Sequence, residues 1–168
     1  MEIAPRLLDF QKQGDLTIVS KIEDACADVV AIVKRADEAG LLGSLQEGKK
    51  RAIGVDAACI KQTLDALNAA GYPDSQIIAV SQGWRLTSAI KSTELYLSSE
   101  TLRHADQPLM DWCVGNGRVE PKGNAVLITK QASGSAKIDP LMSLFTAVDV
   151  IAQAPVAERS FWETEATA

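Results

Sequence analysis

The residue types on which many enzyme sites depend are scarce in this chain of 168 residues. His104 is the single histidine, which excludes zinc sites built on two imidazoles and leaves one candidate base for a Ser-His-Asp triad. We interpret it as a surface residue of a polar loop. Three cysteines without CxxC spacing indicate reduced thiols. No apolar run reaches the roughly 18 residues of a membrane span, and the amino end has no secretory pattern. We therefore expect a soluble, cytoplasmic protein.

Basic charge is also scarce, because 17 Lys and Arg stand against 22 Asp and Glu for a formal net charge of −5. This balance excludes binding to nucleic acid through a general surplus of cations, although a small basic groove on an acidic body stays open. With 46% hydrophobic and 23% charged residues, the composition is that of a soluble globular protein. A chain of this length buries roughly 70% of its unfolded surface, which is enough for one domain.

Short apolar runs alternate with amphipathic helical stretches along the chain. Residues 52–55 form a run typical of a buried strand, residues 57–70 carry apolar side chains at helical spacing, and residues 76–80 form a second run. This order predicts a strand, helix, strand unit with parallel strands. Further helices are predicted at residues 21–39, 86–97 and 138–152, a strand at residues 16–19, and a hairpin that turns at residues 121–123.

The loop before the first of these runs contains a near match to a nucleotide-binding motif. Residues 43–50, GSLQEGKK, come close to the phosphate-binding pattern G-x-x-x-x-G-K-[ST]. That pattern needs a strand before the loop and a helix after it, whereas here a strand follows the loop. Lys50 also replaces the hydroxyl residue that would bind magnesium. We interpret the segment as a solvated turn.

Two aspartates stand where predicted elements begin or end. Asp56 follows residues 52–55, at the carboxyl end of a predicted strand, where ligands and metals gather in open α/β sheets. Asp139 lies in the first turn of the last predicted helix. Two such carboxylates can share a divalent cation such as Mg²⁺ or Mn²⁺, which prefers oxygen ligands. Each aspartate can instead be a helix N-cap, and Pro140 after Asp139 suits that alternative.

The order of these motifs resembles the nuclease domain of the large subunit of tailed-phage terminases, the motors that cut and package viral DNA. The matching segments are AIGVD at residues 52–56, Gln82-Gly83 with an aromatic residue after it, and LTSAIKSTEL at residues 86–95. KIDPLMSL at residues 137–144 closes the resemblance, and LDFQKQGDLT at residues 8–17 is similar to the segment before the family's mid-domain strand.

The resemblance implies a fold, a chemistry and partners. The fold class is α/β, a truncated ribonuclease H-like fold with a mixed sheet and flanking helices over residues 1–153. The lack of periodicity after these residues separately predicts a flexible tail at residues 154–168. Asp56 and Asp139 are implied as catalytic residues and as ligands of Mg²⁺ or Mn²⁺ in two-metal cleavage of double-stranded DNA. The implied partners are double-stranded DNA, the terminase small subunit and the portal, in the cytoplasm of the host cell.

The sequence departs from the family at its start. The family's first metal-binding acid lies on an opening strand, and no strand with a central Asp occurs before Asp15; the ATPase half is missing too. We therefore expect the carboxyl-terminal piece of a terminase, from a shortened prophage gene or a trimmed longer protein, with metal binding and cleavage weak or absent. The strand at residues 52–55 would then lose a neighbour, which predicts a homo-oligomer through an exposed sheet edge or a rearranged sheet.

Other interpretations stay open beside the nuclease. A non-catalytic module that self-associates or binds a partner needs no metal. A small doubly wound ligand-binding domain would use the turn at Gly83 as an anion site, but the sequence has no glycine-rich fingerprint after its first strand. In the nuclease interpretation Lys130 and Lys137 face the DNA backbone, and the alternative for both is a solvated loop.

Overall fold

The computed structural model describes residues 3–42, 53–59, 61–130 and 136–152. In these ranges α-helices and strands follow one another largely as the apolar patterns predict. The helices are α1 (Ile3–Gln13), α2 (Ile22–Glu38), α3 (Lys61–Ala69), α4 (Thr87–Ser98), α5 (Pro108–Asn116) and α6 (Asp139–Ala152), and the strands are β1 (Ile53–Asp56), β2 (Ile77–Val80), β3 (Gly117–Lys122) and β4 (Ala125–Lys130).

β1 and β2 form the predicted parallel pair, with α3 between them in the chain. The register runs from Ile53 opposite Ile77 to Asp56 opposite Val80, so the two carboxyl ends lie side by side. Because side chains alternate along a strand, the pair faces two separate apolar clusters. One cluster contains Ile53, Ile77, Leu67 and Tyr72 with Val30 and Val33 of α2, and the other contains Val80, Leu86, Ala89, Leu141, Phe145 and Val148. The parallel pair is therefore covered on both faces, as buried parallel sheets are.

Gly54 is the point at which β1 touches α6. A Cβ atom built on Gly54 would lie 2.7 Å from Val150 Cγ2 and 2.9 Å from Thr146 Cγ2, closer than atoms of real side chains approach. A residue without a side chain lets the strand backbone rest directly on the helix. The glycine within AIGVD is thus a packing requirement that joins the first strand to the last helix.

The second pair of strands is the predicted hairpin. β3 and β4 are antiparallel, with Gly117 opposite Lys130 and Lys122 opposite Ala125, and Gly123 in the turn has a φ of 59°. A positive φ at that position suits glycine, which pays no steric cost there. The Thr87 hydroxyl accepts the N–H of Val126 at 3.1 Å, which ties the hairpin to the start of α4.

The predicted α/β class is confirmed, with one strand wrong. Parallel and antiparallel pairs with flanking helices are present, although in the described residues they form two separate two-stranded sheets. Residues 16–19 are irregular rather than a strand, and Ile18 and Val19 are exposed. Strand propensity alone does not make a strand, because its backbone groups need a partner strand, and none of the described strands pairs with this segment.

Two predictions fall on residues outside the described ranges. These are the turn at residues 43–50 and the carboxyl-terminal tail at residues 154–168. None of the helices within the described part of the chain combines the length and the apolar character that crossing a bilayer requires.

Candidate functional site

Asp56 is the last residue of β1, as predicted, and its side chain is exposed. Its Oδ1 accepts the N–H of Ala58 at 2.9 Å, and its carbonyl accepts the N–H of Cys59 at 2.8 Å. These two bonds form a tight turn at the strand end, of the kind that Asp favours. Since α3 begins only at Lys61, Asp56 stabilises this turn and is not the N-cap of α3.

Asp139 is the first residue of α6 and is exposed. The carbonyl of Ile138 accepts the N–H of Met142 at 3.0 Å, so Ile138 occupies the cap position and Asp139 lies one residue inside it. Pro140 follows without cost, because the first helical residues need no N–H donor. A carboxylate in the first turn is stabilised by the positive end of the helix dipole, which is a structural role that Asp139 has with or without a metal.

The two aspartates lie on elements that pack directly against each other. Asp56 is two residues beyond Gly54 on β1, and Asp139 is seven residues before Thr146 on α6, while Gly54 and Thr146 are in contact. These steps amount to about 7 Å along the strand and about 10 Å along the helix. That the two carboxylates bind the same cation stays a prediction. Among the described residues no group of three or more His, Cys, Asp or Glu side chains is placed to hold a metal.

Asp139 also lies within the electrostatic reach of a buried thiol. Burial raises the pKa of Cys113, and the negative charge of Asp139 adds to the increase. Cys113 is therefore a protonated core residue and not an activated nucleophile. Asn116, on the same helix α5, donates from Nδ2 to the carbonyl of Lys137 at 3.0 Å, which fixes the chain just before α6. The end of α5 thus helps to hold Asp139 in place.

The cationic residues predicted to face DNA are exposed. Lys130 ends β4, and Lys137 stands two residues before Asp139. Their exposure fits both a DNA contact and a solvated loop. His104 is also exposed, and its Nδ1 accepts the N–H of Asp106 at 3.2 Å, so it stabilises a turn as the surface interpretation requires.

The turn at Gly83 was considered from the sequence as an anion site, but the exposed Trp84-Arg85 pair within it was not recognised. The chain leaves β2 at Val80 and turns through Gly83–Leu86, a short 3-10 helix that exposes Trp84 and Arg85. The turn starts beside Asp56, since Ala57 donates its N–H to the carbonyl of Val80 at 3.1 Å. A large aromatic residue directly after the Gln-Gly of a strand end was the signal available in the sequence.

The fold is similar to that of a solved phage protein. The crystal structure of the HK97 bacteriophage large terminase matches 73% of this chain with a TM-score of 0.51 and 19% sequence identity. The chain has a terminase-like fold. The match takes in only 24% of the HK97 protein, so the chain corresponds to about a quarter of that length. No protein-family model matches the chain, and no curated protein sequence does.

The match supports the fold that the motifs implied. At this level of identity a terminase-like fold says how the elements are arranged, while the chemistry has to be argued from the residues. Those residues are two exposed aspartates on packed elements and an exposed Trp-Arg pair in the turn that follows β2.

Proposed function

We propose that this chain is a nuclease-domain fragment of a phage or prophage terminase large subunit, in which Asp56 and Asp139 bind a single Mg²⁺ or Mn²⁺ beside double-stranded DNA. The observation that carries the proposal is the direct packing of β1 on α6 at Gly54, within a fold similar to that of the HK97 large terminase. This packing brings the elements that bear both acids together, although the acids stand more than eighty positions apart in the sequence.

The residues fit a weak cation site. Both carboxylates are exposed and offer hard oxygen ligands, which Mg²⁺ and Mn²⁺ prefer, but Asp56 Oδ1 already accepts the Ala58 amide. Two protein carboxylates leave most of the coordination shell to water. When bound, such a cation supplies charge stabilisation to a phosphodiester under attack by water. Asp56 and Asp139 hold and orient it, and Lys130 and Lys137 attract the DNA backbone. We therefore propose cleavage that is weak or absent, in the cytoplasm of the host cell.

The experiment measures the melting temperature with and without Mn²⁺. A cation at a hundredfold excess over its Kd stabilises the folded state by about 2.7 kcal/mol, or roughly 5–10 °C for a domain of this size. We expect an increase for the wild type, its loss in Asp56→Asn and in Asp139→Asn, and its retention in Asp28→Asn, which removes an exposed acid of α2. A wild type that Mn²⁺ does not stabilise contradicts the cation site. Robust plasmid nicking by the wild type, abolished in Asp56→Asn, would contradict the proposal that cleavage is weak or absent.

A self-associating module is the second candidate, favoured by the strand pairing of the parallel sheet. Within the described ranges β1 pairs with β2 alone, so no described strand pairs with its other edge, and an unpaired strand edge invites pairing with another chain. Ile32 on α2 is 56% exposed, and Ile18 before this helix is 46% exposed. We propose that a second copy of the chain pairs with the edge of β1 and covers these exposed apolar side chains. Light scattering at micromolar concentration should give the mass of a dimer; a monomeric mass rules the proposal out. A melting temperature that Mn²⁺ does not change, together with a dimeric mass, favours this module over the nuclease.

A further inference from the structure

Trp84 is an exposed aromatic side chain in the turn that follows the carboxyl end of β2. It is 60% exposed, although a Trp side chain normally buries a large apolar area. The Arg85 guanidinium carbon lies 5.4 Å from the centre of the Trp84 ring, a distance at which a cation and an aromatic face attract each other. The exposed ring is thus paired with a cation.

The turn that carries this pair is held in place from both sides. Gly83 has a φ of 76°, a conformation that glycine adopts readily and other residues rarely do. Leu86 is buried in the core at the far end of the turn. The Thr87 hydroxyl donates to the carbonyl of Trp84 at 2.6 Å and accepts the N–H of Val126 from the hairpin. Trp84 is therefore presented on an anchored backbone.

The position of the turn relates Trp84 to the proposed cation site. Asp56 and Val80 are partners across the ladder, and Trp84 follows Val80 by four residues. An extended chain of four residues spans at most about 14 Å, so the Trp84 Cα lies within that distance of the strand end beside Asp56. A nucleotide is several ångströms long. The distance therefore does not prevent one DNA strand from contacting both Asp56 and Trp84.

The residues around Trp84 favour a flat, charged ligand over an apolar protein surface. Its chain neighbours Ser81, Gln82, Gly83 and Arg85 are small or polar, and the next residue, Leu86, is buried in the core. A protein-binding Trp is usually surrounded by other contacts that exclude water. Arg85 Nη1 lies 3.4 Å from the Ser81 hydroxyl, which keeps the guanidinium beside the ring. An aromatic face with an adjacent guanidinium matches a nucleobase with its phosphate.

We propose that Trp84 stacks on an unpaired or terminal base of DNA and that Arg85 binds a phosphate of the same strand. Bases inside a duplex stack on each other and hide their faces, so an exposed ring gains a partner only where a base is unpaired or at an end. This inference rests on the proposed function and adds its substrate class: DNA with an open or frayed end beside Asp56.

The experiment uses the full chain in EDTA, so that no cleavage interferes, with three labelled probes. These are a short single strand, a blunt duplex, and the same duplex with an unpaired end. We expect the single strand and the open-ended duplex to bind more tightly than the blunt duplex. Trp84→Ala should weaken binding of the first two by about 5- to 150-fold, the range for loss of one stacked base. Trp84→Phe keeps an aromatic ring, so it should retain most of the affinity. It should lose the part of the fluorescence quenching on DNA binding that comes from Trp84.

Two further variants separate stacking from general effects. Arg85→Ala should reduce the dependence of log affinity on log salt for the single strand by roughly 0.7, the slope of one phosphate contact. Leu95→Ala, which removes an equally exposed large apolar side chain from α4, should leave binding unchanged.

The outcomes distinguish this inference from the function on which it rests. DNA binding by the wild type that Trp84→Ala does not weaken overturns the inference and leaves the terminase proposal standing. A wild type that binds none of the probes, with or without Mn²⁺, overturns both. If Trp84→Ala keeps DNA binding but turns a dimer into a monomer, Trp84 is a protein contact and the inference is wrong.

Discussion

Replacing Gly54 with alanine tests whether β1 really rests on α6, the contact on which the proposed site depends. The added methyl group would lie 2.7 Å from Val150 Cγ2 and 2.9 Å from Thr146 Cγ2. Both atoms belong to β-branched side chains on a helix, where one or two rotamers are allowed, so neither side chain can easily turn away. The strand and the helix must therefore separate.

The expected cost follows from the number and kind of clashes. Overpacking a well-packed core costs typically 1–3 kcal/mol, and two close contacts with stiff side chains place Gly54→Ala near about 2–3 kcal/mol. For a chain of this size that loss lowers the melting temperature by roughly 5–10 °C. In urea the midpoint should fall by about 1 M, with the slope unchanged. Circular dichroism during heating and urea titration measures both quantities.

Two companion variants make the test specific to the contact. Val150→Ala removes the nearest clashing atom, so the double variant with Gly54→Ala should be more stable than the sum of the two single changes predicts. Gly115→Ala in α5 is the matched control, because its added Cβ meets nothing within 4 Å beyond its chain neighbours and the backbone of its own helix. Alanine is also the better helix former, so stability should stay the same or rise by up to about 1 kcal/mol. If Gly54→Ala unfolds at the wild-type urea concentration, the strand does not rest on the helix and the reasoning that joins the two aspartates fails.

Two further predictions concern buried groups that titrate at alkaline pH. Burial raises the pKa of Tyr72 above its ordinary 10.0, and the hydrogen bond to Asp37 adds to the increase. The protonated Tyr72 therefore contributes to the free energy of unfolding fully below about pH 10, and this contribution is lost as the pH rises through the folded-state pKa. In Tyr72→Phe the urea midpoint should therefore decrease less between about pH 9 and about pH 11 than in the wild type. If the two proteins show the same pH dependence, the partly buried hydrogen bond from Tyr72 to Asp37 is contradicted. Burial, and then Asp139, raise the pKa of Cys113, so iodoacetamide should label Cys113 far more slowly in the native protein than in urea. Peptide mass spectrometry measures both rates, and equal rates would show that the thiol is accessible.

The periodicity of apolar residues was sufficient for most elements. The long helices α2, α4 and α6 were predicted because their apolar side chains recur at helical spacing, and β1 and β2 because short apolar runs flank a helix. The strand end at Asp56 followed from the place where the first run stops. These predictions succeeded because each depends on neighbours within a few turns of the chain.

Residues 16–19 show where that reasoning fails. The segment has the β-branched residues of a strand, yet it stays irregular, because a strand is completed by hydrogen bonds to a partner that local sequence does not specify. The same limit applies to Trp84: its position after Gly83 was visible, but a Trp in a turn is as easily buried as exposed.

The sequence by itself determined the order of helices and strands and the ends at which Asp56 and Asp139 stand, since spacing and turn residues act locally. Only the tertiary structure decided that β1 lies on α6, that Gly54 has no room for a side chain, and that Trp84 is left exposed with Arg85 against its ring. Those properties arise from contacts between residues up to about a hundred positions apart. Such contacts depend on how whole faces pack, which no short stretch of the chain records.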